Sequence, residues 1–345
     1  MIRVGIIGCG KIAQVRHIPE YLAHDGTQIA AYFSRTHSRA QELAGRYGGT
    51  AYARLADLLA DESIDAVSIC TANAVHAEHA IAALEAGKHV LCEKPMATTI
   101  EDCQAMLEAA ATAGKVLMID QNQRLAPAHR KAKELVEAGV IGDVLTFRTT
   151  FGHGGPETWS INPGAGTWFF DAKAAAMGAL ADLGVHKTDL IQYLLGAKVA
   201  EVTAKVATLD KRSPDGRLIG VDDNAMCIYT MDSGVVGTMT ASWTHYGAED
   251  NTTILYGTQG IMRIYDDPAY ALRLVLRNGE EVDYRLEGIQ TNDAQTSTGI
   301  VEAFAGCIEG GGEPLISGES VVHAMRAVFA GVESSQTGRS IRVLP

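Results

Sequence analysis

The chain has 345 residues, is 47% hydrophobic and carries a formal net charge of −12. That length exceeds one ordinary core and predicts two domains of a globular protein. The acidic balance, without a long basic block, excludes nucleic acid as an expected partner, because phosphates need a cationic surface, and no apolar run approaches the ~18 residues that span a membrane.

Ile2 to Ile7 is a short apolar run. Gly8-Cys9-Gly10-Lys11-Ile12-Ala13 follows it, and Ile12, Val15, Ile18 and Leu22 then recur at helical spacing. This is strand, glycine turn and helix, in the GxGxxA variant of the dinucleotide fingerprint. Gly8 permits the tight turn and Gly10 lets backbone approach a pyrophosphate. Ala13 lets the helix pack on the strand, and the helix N-terminus at Lys11 and Ile12 offers free N–H groups to the anion. Because a strand opens at residue 2, no leader segment is expected. Strands over 28–33, 66–70, 89–92 and 116–119 then alternate with helices over 38–47, 55–59, 75–86 and 100–113. Strands spaced by helices imply parallel pairing with right-handed crossovers, so residues 1–122 read as an NAD(P)-binding, doubly wound Rossmann domain.

The end of the second strand selects the nucleotide. An acid there holds the ribose 2′-OH of NAD, whereas a basic residue suits the 2′-phosphate of NADP. The segment is Phe33-Ser34-Arg35-Thr36-His37-Ser38-Arg39. With no acid in place, Ser34, Arg35 and Arg39 favour NADP over NAD, against the alternative of an ordinary exposed loop. After the next strand, Thr71-Ala72-Asn73 and His76 are placed over the nicotinamide ribose; His76 can equally bond its own backbone. The strand over 89–92 ends in Glu93-Lys94-Pro95. Pro95 forces the strand to stop, and a charged pair at a parallel strand's carboxyl end opens into the ligand crevice of such sheets. That makes Lys94 a candidate catalytic lysine, with a plain polar turn as the alternative.

From Asp143 the period changes. Runs at 144–151, 200–209, 225–231 and 235–243 read as strands, and turns at Asp232-Ser233-Gly234, Gly257-Thr258-Gln259-Gly260 and Asn278-Gly279 mark hairpins. A large, mostly antiparallel open sheet is implied for a second α/β domain, residues 123–345, with a late helix over 320–333. Loops 152–167 and 289–299 are expected to shape the substrate pocket. Residues 174–195 read as one helix holding Asp182 and His186. Four residues apart, they share a helix face, and burying them is costly without purpose. Gly184 between them suggests close backbone approach to a cofactor. The six cysteines are scattered with no CxxC pair, which fits small core residues in a reducing, cytoplasmic compartment and no metal site.

Together these stretches resemble the Gfo/Idh/MocA family, named for glucose–fructose oxidoreductase, inositol dehydrogenase and rhizopine catabolism. The resemblance covers nearly the whole chain and rests on the glycine turn, Thr71-Ala72-Asn73 with His76, Glu93-Lys94-Pro95 and Asp182-Leu183-Gly184-Val185-His186. It implies a Rossmann domain followed by an α/β domain, and oxidation or reduction of sugar or cyclitol carbinols with NAD(P). Homodimers or homotetramers built through the second sheet are also implied. Carried over by position, Lys94, Asp182 and His186 are the catalytic set. Glu93, Lys94 (anchoring the ribose), Asn122 and Trp168 join the cofactor contacts, and Lys94, Arg124, Trp168, Asp182 and His186 are the substrate contacts. Phe169 stands where the family usually has an arginine, so no substrate contact is carried to that point. In the scheme this implies, His186 is the general base, Asp182 orients a hydroxyl or the imidazole, and Lys94 stabilises alkoxide charge. The alternatives are an NADPH-dependent anhydro- or keto-sugar reductase, an NAD-dependent glycosidase, and a non-catalytic sugar-binding regulator.

Overall fold

Two sheets organise residues 1–289 and 296–344, the part of the chain that the computed structural model describes. The described residues divide into two compact units: Met1–Asn122 with Trp159–Asn162 and Gln290–Val322, and Gln123–Thr158 with Pro163–Ile289 and His323–Pro345. Residues 296–322, assigned from sequence to the second domain, therefore group with the first unit. Within the expected substrate loop 289–299, residues 290–295 lie outside the described residues.

In the first unit, β1 (Ile2–Ile7), β2 (Thr27–Phe33), β3 (Thr50–Tyr52), β4 (Ala66–Ile69), β5 (His89–Cys92) and β6 (Leu117–Ile119) form a parallel sheet in the order β3-β2-β1-β4-β5-β6. This is the doubly wound order whose direction of winding reverses between β1 and β4. All four residues of β4 are buried, as are the last three of β5. Helices therefore cover both faces of those strands, which is why they read as continuous apolar runs rather than alternating ones. The helix after the glycine turn is not uniform. A π-turn, Ala13–His17, precedes an α-helix, Ile18–Ala23. Helix Ile100–Ala113 is capped by the Thr99 hydroxyl, which accepts the Asp102 N–H, and ends at Gly114 in the left-handed region, the paired signals that start and stop a helix.

The second unit is built on β7 (Val144–Gly152), β8 (Val199–Ala207), β9 (Asn224–Met231), β10 (Val236–Ser242), β11 (Thr253–Gly257), β12 (Gly260–Asp267), β13 (Tyr270–Leu276), β14 (Glu281–Tyr284) and β15 (Ile341–Arg342). Their order is β14-β13-β12-β11-β7-β10-β9-β8-β15. Every pair is antiparallel except β7 with β10. The three expected hairpin turns join β9 to β10, β11 to β12 and β13 to β14. Alternation sorts the two faces. Cys227, Met239, Thr149 and Thr253 line up across four strands and are buried. The neighbouring row begins with Met226 and Ile228, which are exposed.

The helix expected over 174–195 is broken. Ala172–Ala175 forms one turn, Ala176 takes φ +63°, and a π-turn at Leu180–Gly184 leads into helix Val185–Leu195. Asp222 seats this segment, its two carboxylate oxygens accepting the N–H groups of Gly178 and Leu180 at 2.7 Å each.

Candidate active site

In the first unit the cofactor candidates gather at the carboxyl ends of β1, β2, β4 and β5. Gly8 takes φ +97°, and a Cβ added there would lie 2.6 Å from the Cys70 carbonyl oxygen just past β4. Only glycine satisfies both the left-handed conformation and that approach. Gly10 is half-exposed, and a Cβ there would meet only the Cys70 carbonyl, at 3.9 Å. Its backbone thus stays accessible from the side on which Lys11 and Ile12, also half-exposed, open the helix. At the end of β2, Ser34 is buried, Arg35 is exposed, and Arg39 donates from Nη2 to Asn162 Oδ1 at 3.1 Å. Thr71 Oγ1 is a buried hydroxyl without a hydrogen-bond partner, and Asn73 beside it is buried. Asn122 is half-buried and opens a short 3-10 turn, Asn122–Leu125. These groups fit a dinucleotide: bare glycine backbone at the switch point, a helix N-terminus, and polar side chains at successive strand ends.

Two expected cofactor contacts are corrected. His76 is fully buried, with Nδ1 2.8 Å from the Pro95 carbonyl oxygen and Nε2 3.2 Å from that of Thr71. Burial lowers its pKa from the ordinary imidazole value, so the ring is neutral and its single N–H belongs on the shorter contact. No surface of the ring is left for a cofactor. Glu93, 4% exposed, turns its carboxylate onto Arg16 and His17 rather than into the crevice. Lys94 is half-buried, and its peptide bond to Pro95 is cis.

In the second unit, Asp182 and His186 are each 5% exposed. Asp182 Oδ2 accepts a hydrogen bond from Trp243 Nε1 at 3.0 Å, and the His186 ring lies 6.0 Å from the ring of Phe151. Phe151 is near the end of β7 and Trp243 follows β10. These two central strands pair in parallel, with Phe151 opposite Ala241, so the acid and the imidazole each pack beside the carboxyl ends of β7 and β10. The expected α-helical spacing is modified. The Val185 N–H bonds back to the Leu180 carbonyl, and a five-residue bond widens the turn, so a step of four falls short of a full revolution. Trp168 stacks on Phe169 at 3.9 Å, and Phe169 meets Trp243 edge-on at 6.4 Å. The phenylalanine that replaces an arginine thus extends an aromatic wall beside Asp182. Sequence reading missed Trp243, because nothing local couples it to Asp182 across 61 positions.

Two more of the expected residues serve the fold here. Arg124 is buried and donates from Nε and Nη2 to Asp189 at 2.7 and 2.5 Å, with its guanidinium over the Tyr193 ring. A bidentate ion pair of this kind fixes the planar group, so Arg124 anchors the helix that carries His186. Gly184 serves packing: a Cβ there would lie 2.9 Å from Leu180 Cδ1 and 3.2 Å from Met239 Cε on β10. It lets the helix sit close on the sheet, and the close approach is to protein, not to a cofactor.

Two family models match. The oxidoreductase family with an NAD-binding Rossmann fold covers residues 2–121, and the GFO/IDH/MocA C-terminal domain covers residues 129–263. The chain belongs to the Gfo/Idh/MocA oxidoreductase family. Among its relatives is the 1,5-anhydro-D-fructose reductase of Ensifer adhaerens, 30% identical over 346 residues and 99% of each chain. The myo-inositol 2-dehydrogenase of Thermotoga maritima is 26% identical over 99% of this chain and 98% of the relative. Among solved structures, a levoglucosan dehydrogenase in complex with NADH and levoglucosan superposes with a TM-score of 0.89 at 27% identity, covering 100% of both chains. This family member is therefore an oxidoreductase with an N-terminal nicotinamide-binding domain, and no helix among the described residues is long and apolar enough to cross a membrane.

Proposed function

We propose that this chain transfers hydride between a nicotinamide dinucleotide and a secondary carbinol or ketone of a sugar, sugar derivative or cyclitol. The observation that carries the reading is the burial of both Asp182 and His186 beside the carboxyl ends of β7 and β10, in a chain whose other half has the Gly8 turn of a dinucleotide site. The names of the relatives, which act on an anhydro-sugar, a cyclitol and levoglucosan, support the substrate class. Cofactor binding is assigned to residues 1–122, and substrate binding and oligomerisation to 123–345.

Bound nicotinamide supplies a two-electron hydride acceptor or donor at its C4. In oxidation, the carbinol C–H leaves as hydride and the hydroxyl proton passes to the His186 imidazole, giving the ketone. In reduction both run backwards. The Lys94 ammonium stabilises the oxyanion that forms between the two events. Asp182, steadied by Trp243, orients the hydroxyl or the imidazole. The absence of an acid at the end of β2, with Ser34, Arg35 and Arg39 there instead, supports NADP as the preferred form. That preference and the 30% relative favour a second reading in the same class, an NADPH-dependent reductase of an anhydro- or keto-sugar. Six free cysteines, five of them buried, support a reducing cytoplasmic location.

The test is a panel of polyols, sugars and keto-sugars assayed in both directions with NADP and NAD, followed by reduced-nicotinamide absorbance. Net turnover with at least one substrate is expected, faster with NADP. Lys94→Ala and His186→Ala should each lower kcat by at least about 100-fold, the low end for acid–base catalysis. Near-wild-type turnover in either removes that residue from the scheme, and sugar cleavage without net cofactor change refutes the oxidoreductase direction.

A further inference from the structure

The turn that carries Lys94 is fastened on both sides by buried side chains that hydride transfer itself does not use. On the N-terminal side, Glu93 Oε2 accepts the main-chain N–H of Lys94 at 3.2 Å. Its other oxygen accepts from Arg16 Nη1 at 3.1 Å and from His17 Nε2 at 3.0 Å. Arg16 is itself held by Asp120 Oδ2 at 2.8 Å, and His17 Nδ1 lies 2.7 Å from the Ser68 hydroxyl. On the C-terminal side, the Pro95 carbonyl accepts from His76 Nδ1 at 2.8 Å.

The cluster brings acids and bases together in a buried site. Burial works against charge on His17, but the Cys70 sulfur and the hydrogen bonds to Asp120 and Glu93 outweigh it and hold the imidazole well above its ordinary pKa. Arg16 bridges Glu93 and Asp120, and the His17 ring lies against both carboxylates. His17, Glu93 and Asp120 have ligand atoms within 4.8 Å of one another among the described residues. Arg16 already donates to both carboxylates, however, and supplies the positive charge that a metal ion would bring. The cluster is an ion-pair network. Buried networks of this kind contribute little net stability compared with apolar packing. What this one does supply is position, since Glu93, which it fixes, accepts the main-chain N–H of Lys94.

We propose that Glu93, backed by Arg16 and His17, and His76 are positioning residues for Lys94, clamping the backbone before and after it so that its ammonium meets the reacting oxygen in a single orientation. The proposal rests on the reading of Lys94 as the group that stabilises the alkoxide. A misplacement of about 1 Å in a catalytic group can cost about 100-fold in rate, so clamps on adjacent backbone atoms act on kcat before they act on cofactor affinity.

The experiment compares His76→Leu, which keeps bulk and removes the donor, with His76→Asn, whose amide nitrogen can stand in for Nδ1. Glu93→Gln and Lys94→Ala run beside them, each first checked for a cooperative thermal transition. His76→Leu is expected to lower kcat at least 10-fold while the cofactor Kd, read by quenching of protein fluorescence, stays within 3-fold of wild type. His76→Asn should recover kcat to within 3-fold. Glu93→Gln should lower kcat without raising the cofactor Kd, and it carries the test alone if His76→Leu does not fold. The proposal is overturned if His76→Leu keeps wild-type kcat, or if both His76 variants lose activity together with a raised cofactor Kd. If Lys94→Ala itself turns over normally, the catalytic reading of Lys94 fails first. If Lys94→Ala is inactive and the His76 and Glu93 variants are normal, only the positioning proposal fails.

Discussion

Lys187 follows His186 on the helix Val185–Leu195 and is fully buried, donating from Nζ to the Asn251 carbonyl at 2.9 Å. The Phe151 ring lies 5.9 Å below the ammonium. Burial pushes its pKa down to about 7, against a partial pull upward from Asp250 and Glu249. In the unfolded chain a lysine titrates near 10.4. Between those values the unfolded state binds more protons, so the stability this group contributes is complete above about 10.4 and is lost as pH falls through about 7. Lys187→Met has no such dependence. Urea unfolding of both proteins at pH 7 and pH 9.5 should therefore show wild type gaining on the variant by on the order of 3 kcal/mol. A pH-independent difference would show that the amine is charged throughout and solvated in the fold. Gly8 is constrained differently: its left-handed φ and the nearby Cys70 carbonyl leave no room for a side chain, so its demand is steric and independent of pH.

At the scale of elements, the Arg124–Asp189 pair ties the turn Asn122–Leu125 to the helix Val185–Leu195 within the second unit, from Gln123 onward. Both side chains are buried, so removing one takes the bidentate counter-charge from the other. Arg124→Met or Asp189→Leu alone should cost about 3–5 kcal/mol, whereas the double replacement should recover most of that loss. A double-mutant cycle by urea denaturation measures it, and additive losses would mean that the pair is not coupled. The two π-turns, Ala13–His17 and Leu180–Gly184, share a logic. Each inserts a wider turn where polar side chains, Arg16 and His17 in one and Asp182 in the other, must leave the helix toward partners on the adjoining sheet. π-turns recur at functional sites for this reason.

At the scale of the whole molecule, the second sheet leaves a row of apolar side chains uncovered. Met226 and Ile228 on β9 are 52% and 51% exposed, and Val236 on β10 is 39% exposed. Thr240 and Thr238 stand opposite the first two, and Arg148 beside Thr238, so these apolar side chains share one face with polar neighbours. Such a face is a natural seat for a second copy of the chain. Homo-oligomerisation through it is proposed here. The mass of wild type in solution is expected to be a multiple of 36.7 kDa, and Met226→Lys with Ile228→Lys should shift it toward the single chain in light scattering. A monomeric wild type would refute the assignment.

The local pattern alone settled a great deal. Apolar periodicity depends on neighbours two to four positions apart, so the alternation of strands and helices before residue 120 and the hairpins after 230 were legible without coordinates. The glycine turn and the strand end at Glu93-Lys94-Pro95 were legible for the same reason, since backbone demands are met by residue type at the spot. Partner choice for polar side chains was not. His76 turned inward to Pro95, Arg124 to Asp189, and Glu93 to Arg16 and His17, while Asp182 took a hydrogen bond from a tryptophan that no motif had marked. A buried polar group must find its partner wherever the chain brings one, and that partner lay between 19 and 77 positions away. The sequence by itself determined which elements form and which residues have chemistry to offer. Only the tertiary structure decided which of those residues spend that chemistry inside the fold, because desolvation and pairing act through space and leave no period in the chain.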